Sequence, residues 1–316
     1  MPSLPTSNVE HRTLPLSLLV LGGEGMLGHK VLQGLSSRYP GTKCTVYGSL
    51  KDPFYRAIHL FSPKNTIEKA NAMDLPALRQ TLEKEKPSYM INCIGIVKQR
   101  DESKAAIPSI TINSLLPHLL AEWGLGWSGR LIHFSTDCVF SGKKGNYSED
   151  DPSDAEDLYG KSKFLGEVSE APNALTLRTS IIGRELSQFK SFLEWFLAQK
   201  SKQAKGFRKV IYSGVTTNYI AELVGKIISD HPRLSGLYQV TAPAITKYDL
   251  LTRIRDAYKL DIKIVPEDSE ISDRSMNGQY FCQATGYKEP SWDDLIAQLA
   301  GDKTPYGEWL IEKNHV

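Results

Sequence analysis

The sequence predicts an α/β protein built on a doubly wound parallel sheet, followed by a smaller C-terminal α/β region. Three observations lead to this class. Short apolar strand candidates alternate with helical patterns through the first half of the chain. The first strand runs directly into a glycine-rich turn that opens a helix. After Gly183 the alternation becomes less regular, which indicates a second, smaller unit.

The strand candidates are short, largely apolar runs, as expected for strands covered on both faces. In order they are Leu16–Leu21, Cys44–Tyr47, Tyr89–Ile94, Arg130–Phe134, Leu175–Arg178, Val210–Ser213, Leu237–Thr241 and Ile262–Val265. Helical spacing of apolar residues marks the segments between them. These helix candidates are one that begins at Met26, then Leu78–Glu85, Ile112–Trp123, Tyr159–Glu170, Asn218–Asp230, Lys247–Lys259 and Trp292–Ala300.

Composition and charge exclude several functional classes. The 316 residues carry 38 Lys+Arg and 36 Asp+Glu, a formal net charge of +2, which gives no basic footprint for nucleic acid. No apolar run approaches the ~18–20 residues that cross a bilayer, and no signal-peptide pattern is present. Four widely separated cysteines without a CxxC pair fit a reduced, cytoplasmic chain. The seven histidines form no metal-ligand cluster, so we expect no metal site.

The glycine-rich turn carries the pattern GxxGxxG. Its glycines are Gly22, Gly25 and Gly28, and Met26 and Leu27 begin the helix. Glycine allows the sharp turn and the close approach of a pyrophosphate to free helix N–H groups. A glycine-rich turn without a ligand is the alternative, but its position between the first strand and a helix favours nucleotide binding. We therefore predict a Rossmann-type NAD(P)-binding domain over 15–183, a flexible leader over 1–14 and a substrate-binding region over 184–316, with chain exchange between the two domains left open.

The residues after the second strand indicate which dinucleotide is bound. An acidic residue there would bind the adenosine ribose diol, whereas basic or small polar residues suit a 2′-phosphate. The segment offers Ser49 and Lys51, and no acid before Asp52. NADP(H) is therefore favoured and NAD(H) is the alternative.

A YxxxK pair, Tyr159 and Lys163, lies on a predicted helix. Four residues apart, both side chains face the same side of the helix. An ammonium near a phenol favours the phenolate and lowers the phenol pKa, which suits a proton donor to a carbonyl group. Thr136, at the end of a buried strand, supplies a hydroxyl for the same oxygen. The order glycine turn, strand-borne threonine, YxxxK distinguishes this pair from a chance match.

Together these motifs resemble the extended short-chain dehydrogenase/reductase superfamily. Within it, residues 135–167 are similar to the dTDP-4-dehydrorhamnose reductase family, whose members carry a comparable Ser-Thr-Asp-Tyr-Val-Phe segment, a Tyr-Gly-x-Ser-Lys segment and a Gly-Glu pair. The resemblance implies that Thr136, Tyr159 and Lys163 are catalytic and that Tyr159 and Lys163 also contact the cofactor. It further implies that Asp74 and Leu75 flank the adenine, and that the segment Cys93-Ile94-Gly95 lies along the ribose and nicotinamide.

Two departures from the family pattern concern the substrate. Cys138 stands where the family has a tyrosine, and Ile181 stands where it has a tryptophan; the family places both aromatic residues near the sugar. Cys138 is therefore a substrate-side residue with two interpretations, a structural thiol or an acid in an epimerisation. Arg274 also has two interpretations, a grip on the substrate diphosphate or a surface ion pair with Asp273 or Glu270.

The sequence thus predicts an NADPH-dependent reductase of a 4-keto-6-deoxy nucleotide sugar, acting in the synthesis of surface polysaccharide precursors. The alternatives are a nucleotide-sugar epimerase of the same superfamily and a non-catalytic NADP-binding regulatory subunit. The expected partner is a small nucleotide sugar, with neither nucleic acid nor membrane bound. A homodimer is left open.

Overall fold

The computed structural model describes residues 16–97, 104–199 and 203–309, and a parallel sheet forms its centre. In chain order the strands are β1 (Leu18–Leu21), β2 (Lys43–Thr45), β3 (Thr66–Ile67), β4 (Tyr89–Asn92), β5 (Arg130–Ser135), β6 (Ala174–Arg178), β7 (Ile181–Ile182), β8 (Gln203–Phe207), β9 (Val210–Tyr212), β10 (Val215–Thr216), β11 (Gly236–Gln239), β12 (Ile245–Thr246), β13 (Lys263–Glu267) and β14 (Ser272–Asp273). The predicted leader, 1–14, lies outside the described residues.

The main sheet has seven strands in the order β11-β6-β5-β4-β1-β2-β3, and each neighbouring pair is parallel. The strand order reverses direction between β1 and β4, so the connections leaving these two strands diverge. In sheets of this kind ligands bind at the carboxyl ends of the strands beside such a reversal. The predicted Rossmann-type α/β class is confirmed.

Helices cover both faces of the sheet, which explains why its central strands are buried and largely apolar. Their bounds are α1 (Met26–Arg38), α2 (Pro53–Ala57), α3 (Leu75–Glu85), α4 (Ala106–Ser109), α5 (Leu116–Leu125), α6 (Leu158–Leu165), α7 (Phe192–Leu197), α8 (Thr217–Asp230), α9 (Lys247–Ala257), α10 (Gln279–Thr285) and α11 (Trp292–Ala300). Every residue of β1, β4 and β6 is buried. Apolar residues of α1 and α8 pack on one face, and those of α3 and α5 pack on the other.

The second half of the chain returns to the main sheet. β11 pairs with β6, with Leu237 opposite Thr176, and α8 packs beside α1. The remaining short strands form small sheets, in which β13 pairs with β8, β9 lies between β12 and β14, and β10 pairs with β7. The domain boundary after Gly183 remains a prediction. The chain returns to the main sheet after this residue, since β11 pairs with β6.

Two helices differ most from their predicted bounds. The helix predicted over Tyr159–Glu170 ends at Leu165 with Gly166 as its C-cap, and a Cβ on Gly166 would lie 1.8 Å from the Asn113 carbonyl oxygen. The helix predicted over Ile112–Trp123 begins as a π-helix, Ile110–Leu115, before α5. A π-helical turn of this kind is frequent at functional sites.

Residues 302–309 pack against α1. Lys30 Nζ forms a buried ion pair with Asp302, 2.8 Å away, and His29 Nε2 lies 2.7 Å from the Tyr306 hydroxyl. These contacts fix the segment that ends the described residues beside the helix that follows the glycine turn. Within the described ranges, no helix is both long enough and apolar enough to cross a lipid bilayer.

Candidate active site

The glycine turn between β1 and α1 is shaped by close backbone contacts. Gly22 has φ +79°, in the left-handed region that favours glycine. A Cβ on Gly28 would lie 2.0 Å from the Gly22 carbonyl oxygen. Gly25 is the N-cap of α1, and no side chain caps the helix, so its first N–H groups can bind an anion. These features fit a dinucleotide pyrophosphate at Met26 and Leu27.

The segment after β2 mixes charges of both signs. Ser49 Oγ donates to Glu68 Oε1 at 2.7 Å, and this hydrogen bond lowers the Glu68 pKa. Glu24, from the glycine turn, accepts the Tyr47 backbone N–H at 2.9 Å. Lys51 is exposed. Ser49 and Lys51 thus lie after β2, where the adenosine ribose is expected. The sequence motifs gave no sign that the carboxylates of Glu68 and Glu24 lie beside them.

The segment after β4 lies against the glycine turn. A Cβ on Gly22 would lie 2.9 Å from Ile94 Cγ1, and the Cys93 N–H donates to the Leu21 carbonyl at 3.0 Å. The Asn92 side chain accepts the Ile94 N–H at 3.1 Å, which holds the turn toward Gly95. The ends of β1 and β4 therefore form one continuous surface at the reversal of strand order.

Asp74 and Leu75 have evident structural roles. Asp74 caps α3 by accepting the Ala77 N–H at 3.1 Å, and Leu75 is partly buried against the core beneath α3. Their contact with an adenine remains a prediction.

Thr136 and Tyr159 come together at the carboxyl end of β5. The Thr136 hydroxyl caps a 3₁₀ turn, Asp137–Val139, and donates to Asp137 Oδ1 at 3.1 Å. The phenol of Tyr159, on α6, lies near Thr136, which influences the phenol pKa. Lys163 is buried on the same helix, and its Nζ donates to the Phe134 carbonyl at 2.6 Å.

The protonation of this group differs from the sequence-based expectation. Burial raises the pKa of Tyr159, with further increases from nearby Cys138 and Asp137, whereas the Thr136 hydroxyl lowers it. Burial lowers the pKa of Lys163 to about 8. The expectation that the lysine ammonium lowers the phenol pKa is wrong for this arrangement, since burial is the dominant effect. The phenol is consequently protonated at neutral pH and can act as a proton donor.

A buried ion pair supports the end of β5 from behind. Arg178 Nε and Nη2 donate to the two oxygens of Glu167 at 2.8 and 2.7 Å, and Ser135 Oγ donates to the same carboxylate at 2.6 Å. Sequence reasoning missed this role. Its only signal was the Gly-Glu pair after the YxxxK motif, which gave no indication of a partner on β6.

Asn113 links α6 to the segment after β4. From the π-helix, its side chain accepts the Ile96 N–H at 2.9 Å and donates to the Ile96 carbonyl at 3.0 Å and to Ser162 Oγ at 3.2 Å. This residue was also missed, because an Asn within an apolar helix shows no distinctive pattern. It positions the helix that carries Tyr159.

The expected substrate side contains Cys138, Ile181 and Arg274. Cys138 is half-buried directly after Thr136 and Asp137, and Ile181 lies in β7. Arg274 Nε donates to the Phe140 carbonyl at 2.9 Å, and no ion pair joins it to Asp273 or Glu270 in the described structure. The fold also brings Lys247 to this segment, as the influence of Asp137 and Cys138 on its pKa shows. No motif in the sequence indicated Lys247.

This arrangement, at the carboxyl edge of a Rossmann-type sheet, can bind a dinucleotide and deliver a proton beside it. It defines the class of the protein as an NAD(P)-dependent oxidoreductase of the short-chain dehydrogenase/reductase type. More specifically, the chain belongs to the family described as the RmlD substrate binding domain, whose model matches residues 16–279. The predicted family is confirmed, within a superfamily of sugar-nucleotide reductases and epimerases.

Relatives and solved structures agree with this membership. Spore coat polysaccharide biosynthesis protein SpsK of Bacillus subtilis (strain 168) is 27% identical over 260 residues, 80% of this chain and 83% of the relative. Methionine adenosyltransferase 2 subunit beta of Danio rerio is 25% identical over 255 residues, 77% and 74% of the two chains. The fold is similar to that of dTDP-4-dehydrorhamnose reductase from Bacillus anthracis in complex with NADP, with TM-score 0.72, 19% identity, and coverage of 90% and 98%.

Proposed function

We propose that this protein is an NADPH-dependent reductase of a 4-keto-6-deoxy nucleotide-diphosphate sugar in the synthesis of surface polysaccharide precursors. The observation that carries the proposal is the half-buried Tyr159 phenol near Thr136, at the sheet edge that also holds the glycine turn. A protein that only binds a dinucleotide has no need of a proton donor at this edge.

In this proposal each residue has one task. When bound, the reduced nicotinamide supplies the hydride. Tyr159 donates a proton to the carbonyl oxygen of the sugar, which its raised pKa permits throughout the neutral range. Thr136 holds the same oxygen through its hydroxyl. Lys163 binds the ribose hydroxyls next to the nicotinamide, in place of its present bond to the Phe134 carbonyl.

The names of relatives support the proposed class of substrate. Two positions that depart from the family pattern indicate where the substrate differs. One relative is named for spore coat polysaccharide biosynthesis, and a protein of similar fold is named as a dTDP-4-dehydrorhamnose reductase. Cys138 and Ile181 stand where the dTDP-4-dehydrorhamnose reductase family, which this sequence resembles, has two aromatic side chains. The sugar or its nucleotide is therefore expected to differ from the dTDP-4-dehydrorhamnose of that family.

Two alternatives make different demands on the site. An epimerase that returns hydride to the same carbon could use the same three residues. A regulatory subunit would need none of them. This second candidate is supported by relatives named methionine adenosyltransferase 2 subunit beta. Turnover separates the reductase from the regulatory subunit, and product stereochemistry separates it from the epimerase.

The decisive experiment follows NADPH consumption with a panel of 4-keto nucleotide sugars. Tyr159→Phe removes only the phenolic hydroxyl, so we expect kcat to fall by about 10²- to 10⁴-fold while NADPH still binds. Tyr89→Phe is the matched control, since its hydroxyl donates to the Pro232 carbonyl at 3.1 Å from the opposite end of the sheet. Tight NADPH binding without turnover on any sugar, in wild type and both variants, would instead favour the regulatory subunit.

NADP(H) is the proposed cofactor, with NAD(H) as the alternative, because Lys51 and Ser49 follow β2. A homodimer is also proposed. Exposed apolar side chains on α4 to α6 and the π-helix support it: Ile107, Ile110, Leu115, Leu125, Phe164 and Leu165. Light scattering of the purified chain tests this, and a monomer at assay concentration would contradict it.

A further inference from the structure

Lys247 is a charged residue in an unfavourable position. It is the first residue of α9, where the positive end of the helix dipole opposes a cation. Burial lowers the pKa of its ammonium to about 8. Neither Lys247 nor Arg274 forms an ion pair with any carboxylate of the described residues. A half-buried cation that forms no ion pair requires another explanation than stability.

Two aromatic rings hold the ammonium in place. Lys247 Nζ lies 3.9 Å from the centroid of the Tyr212 ring and 4.3 Å from that of Phe192, distances at which a cation is attracted to the ring. The rings come from β9 and α7, so three separate elements define the position of one charge. Such a position is preorganised for a ligand.

The charge lies in the neighbourhood of the candidate active site. Besides burial, Asp137 and Cys138 influence the pKa of the Lys247 ammonium, and the same two residues influence the pKa of the Tyr159 phenol. Arg274 lies near this charge, because it directly follows β14, which pairs with the strand β9 that carries Tyr212, and its guanidinium lowers the Lys247 pKa. Lys247 and Arg274 therefore form a pair of cations beside the segment that follows Thr136.

We propose that Lys247, together with Arg274, binds the diphosphate of a nucleotide sugar. This rests on the proposed function, and it names Lys247 as the residue that sets affinity for the anionic part of the substrate. A diphosphate carries two negative charges at neutral pH, which match two neighbouring cations and remove the repulsion between them. Lys247 takes no part in the proton transfer, which belongs to Tyr159.

The test measures nucleoside diphosphate binding by titration calorimetry in the presence of saturating NADP⁺. The probes are dTDP, UDP, GDP and CDP, and the tightest is compared with its nucleoside. Lys247→Met keeps the length of the side chain and removes its charge, so we expect about 10- to 100-fold weaker diphosphate binding and unchanged nucleoside binding. Lys226→Met, at an exposed position of α8, is the matched control and should bind as wild type does.

Two further measurements separate a direct role from a structural one. Lys247→Arg keeps the charge and should restore diphosphate affinity to within about threefold of wild type. Wild-type affinity should fall as pH rises through about 8, because the neutral amine must take up a proton before it binds the anion. The charged and titratable groups around this amine are Asp137, Cys138, Arg274 and Tyr212. The fall specific to Lys247 should be absent from the Arg variant, which stays charged.

The outcomes distinguish this inference from the proposed function. Equal diphosphate affinity in wild type and Lys247→Met, or no diphosphate binding at all, would overturn the role of Lys247, even with full reductase activity. A loss of affinity in Lys247→Met that Lys247→Arg does not restore would also overturn it. Weaker binding in Lys247→Met with restoration by Lys247→Arg would support it, even if no 4-keto sugar is reduced.

Discussion

Glu24 and Lys51 bring opposite charges to the end of β2. Glu24 accepts the Tyr47 N–H, and Lys51 follows two residues after Ser49, whose hydroxyl is already bonded to Glu68. A 2′-phosphate at this place would be attracted by Lys51 and repelled by Glu24. The preference between NADP(H) and NAD(H) thus depends on whether the attraction of the 2′-phosphate by Lys51 exceeds its repulsion by Glu24.

Substitution of each charge should change the affinity for one dinucleotide only. Lys51→Ala is expected to weaken NADPH binding by about tenfold and to leave NADH binding unchanged, since only NADPH carries the 2′-phosphate. Glu24→Gln should strengthen NADPH binding by a few-fold. Fluorescence titration of both dinucleotides measures these effects, and Lys64→Ala, at an exposed loop position, is the control. Equal NADH and NADPH affinities in wild type, unchanged in Lys51→Ala, would count against a 2′-phosphate site.

At the scale of elements, the β1–turn–α1 unit depends on backbone atoms in contact. Gly28→Ala would place a methyl group 2.0 Å from the Gly22 carbonyl oxygen, and neither backbone segment can move without displacing β1 or α1. We expect a loss of about 1–3 kcal/mol in the free energy of unfolding and greatly weakened dinucleotide binding. Urea unfolding and NADPH titration measure the two effects.

Gly307→Ala is the control for this substitution, because nothing lies within 4 Å of its added Cβ. It should unfold and bind NADPH as wild type does. Normal NADPH affinity in Gly28→Ala would show that the turn can open, and the close packing would then not be a requirement for binding.

The elements that sequence patterns predicted well are those with an apolar pattern of their own. β1, β4, β5 and β6 coincide with largely apolar runs, and α11 has the predicted bounds. Two-residue strands such as β3 and β7 have no such pattern, because their neighbours in space determine them. The π-helical turn was not predicted either, and its residue Asn113 contacts Ile96, which is distant in sequence.

Some residues of the candidate site could be predicted from local motifs, and others could not. The glycine turn and the Thr136, Tyr159 and Lys163 set follow from local motifs, although their roles remain predictions. Lys247 does not, since β9 and α7 must fold before its ammonium has a defined position. The pKa of Tyr159 could not be inferred from spacing either, because burial is a property of the folded chain.

For the whole molecule, His29 links stability to pH. The His29 ring is buried, and this burial lowers its pKa from 6.5 to about 4. The unfolded chain therefore binds more protons than the folded one between these values, and stability falls as pH decreases from about 6.5 to 4. The difference corresponds to at most about 3 kcal/mol. Chemical denaturation at a series of pH values should show this decrease.

Because His133 is buried and its pKa is also lowered, the contribution of His29 must be isolated by substitution. His29→Gln should lose part of the pH dependence below 6.5, while His59→Gln, at an exposed position, should retain all of it. An unchanged slope in His29→Gln would show that His29 is not protonated on unfolding in this range.

His29 also contacts two parts of the chain that are synthesised at different times. Its Nδ1 donates to the carbonyl of Gly25 in the glycine turn at 2.9 Å, and its Nε2 accepts from Tyr306, 277 residues away. During synthesis the turn leaves the ribosome long before Tyr306 does. A nascent chain therefore contains the nucleotide-binding sequence for most of its translation without the contact that anchors it, and the dinucleotide site becomes fully assembled late.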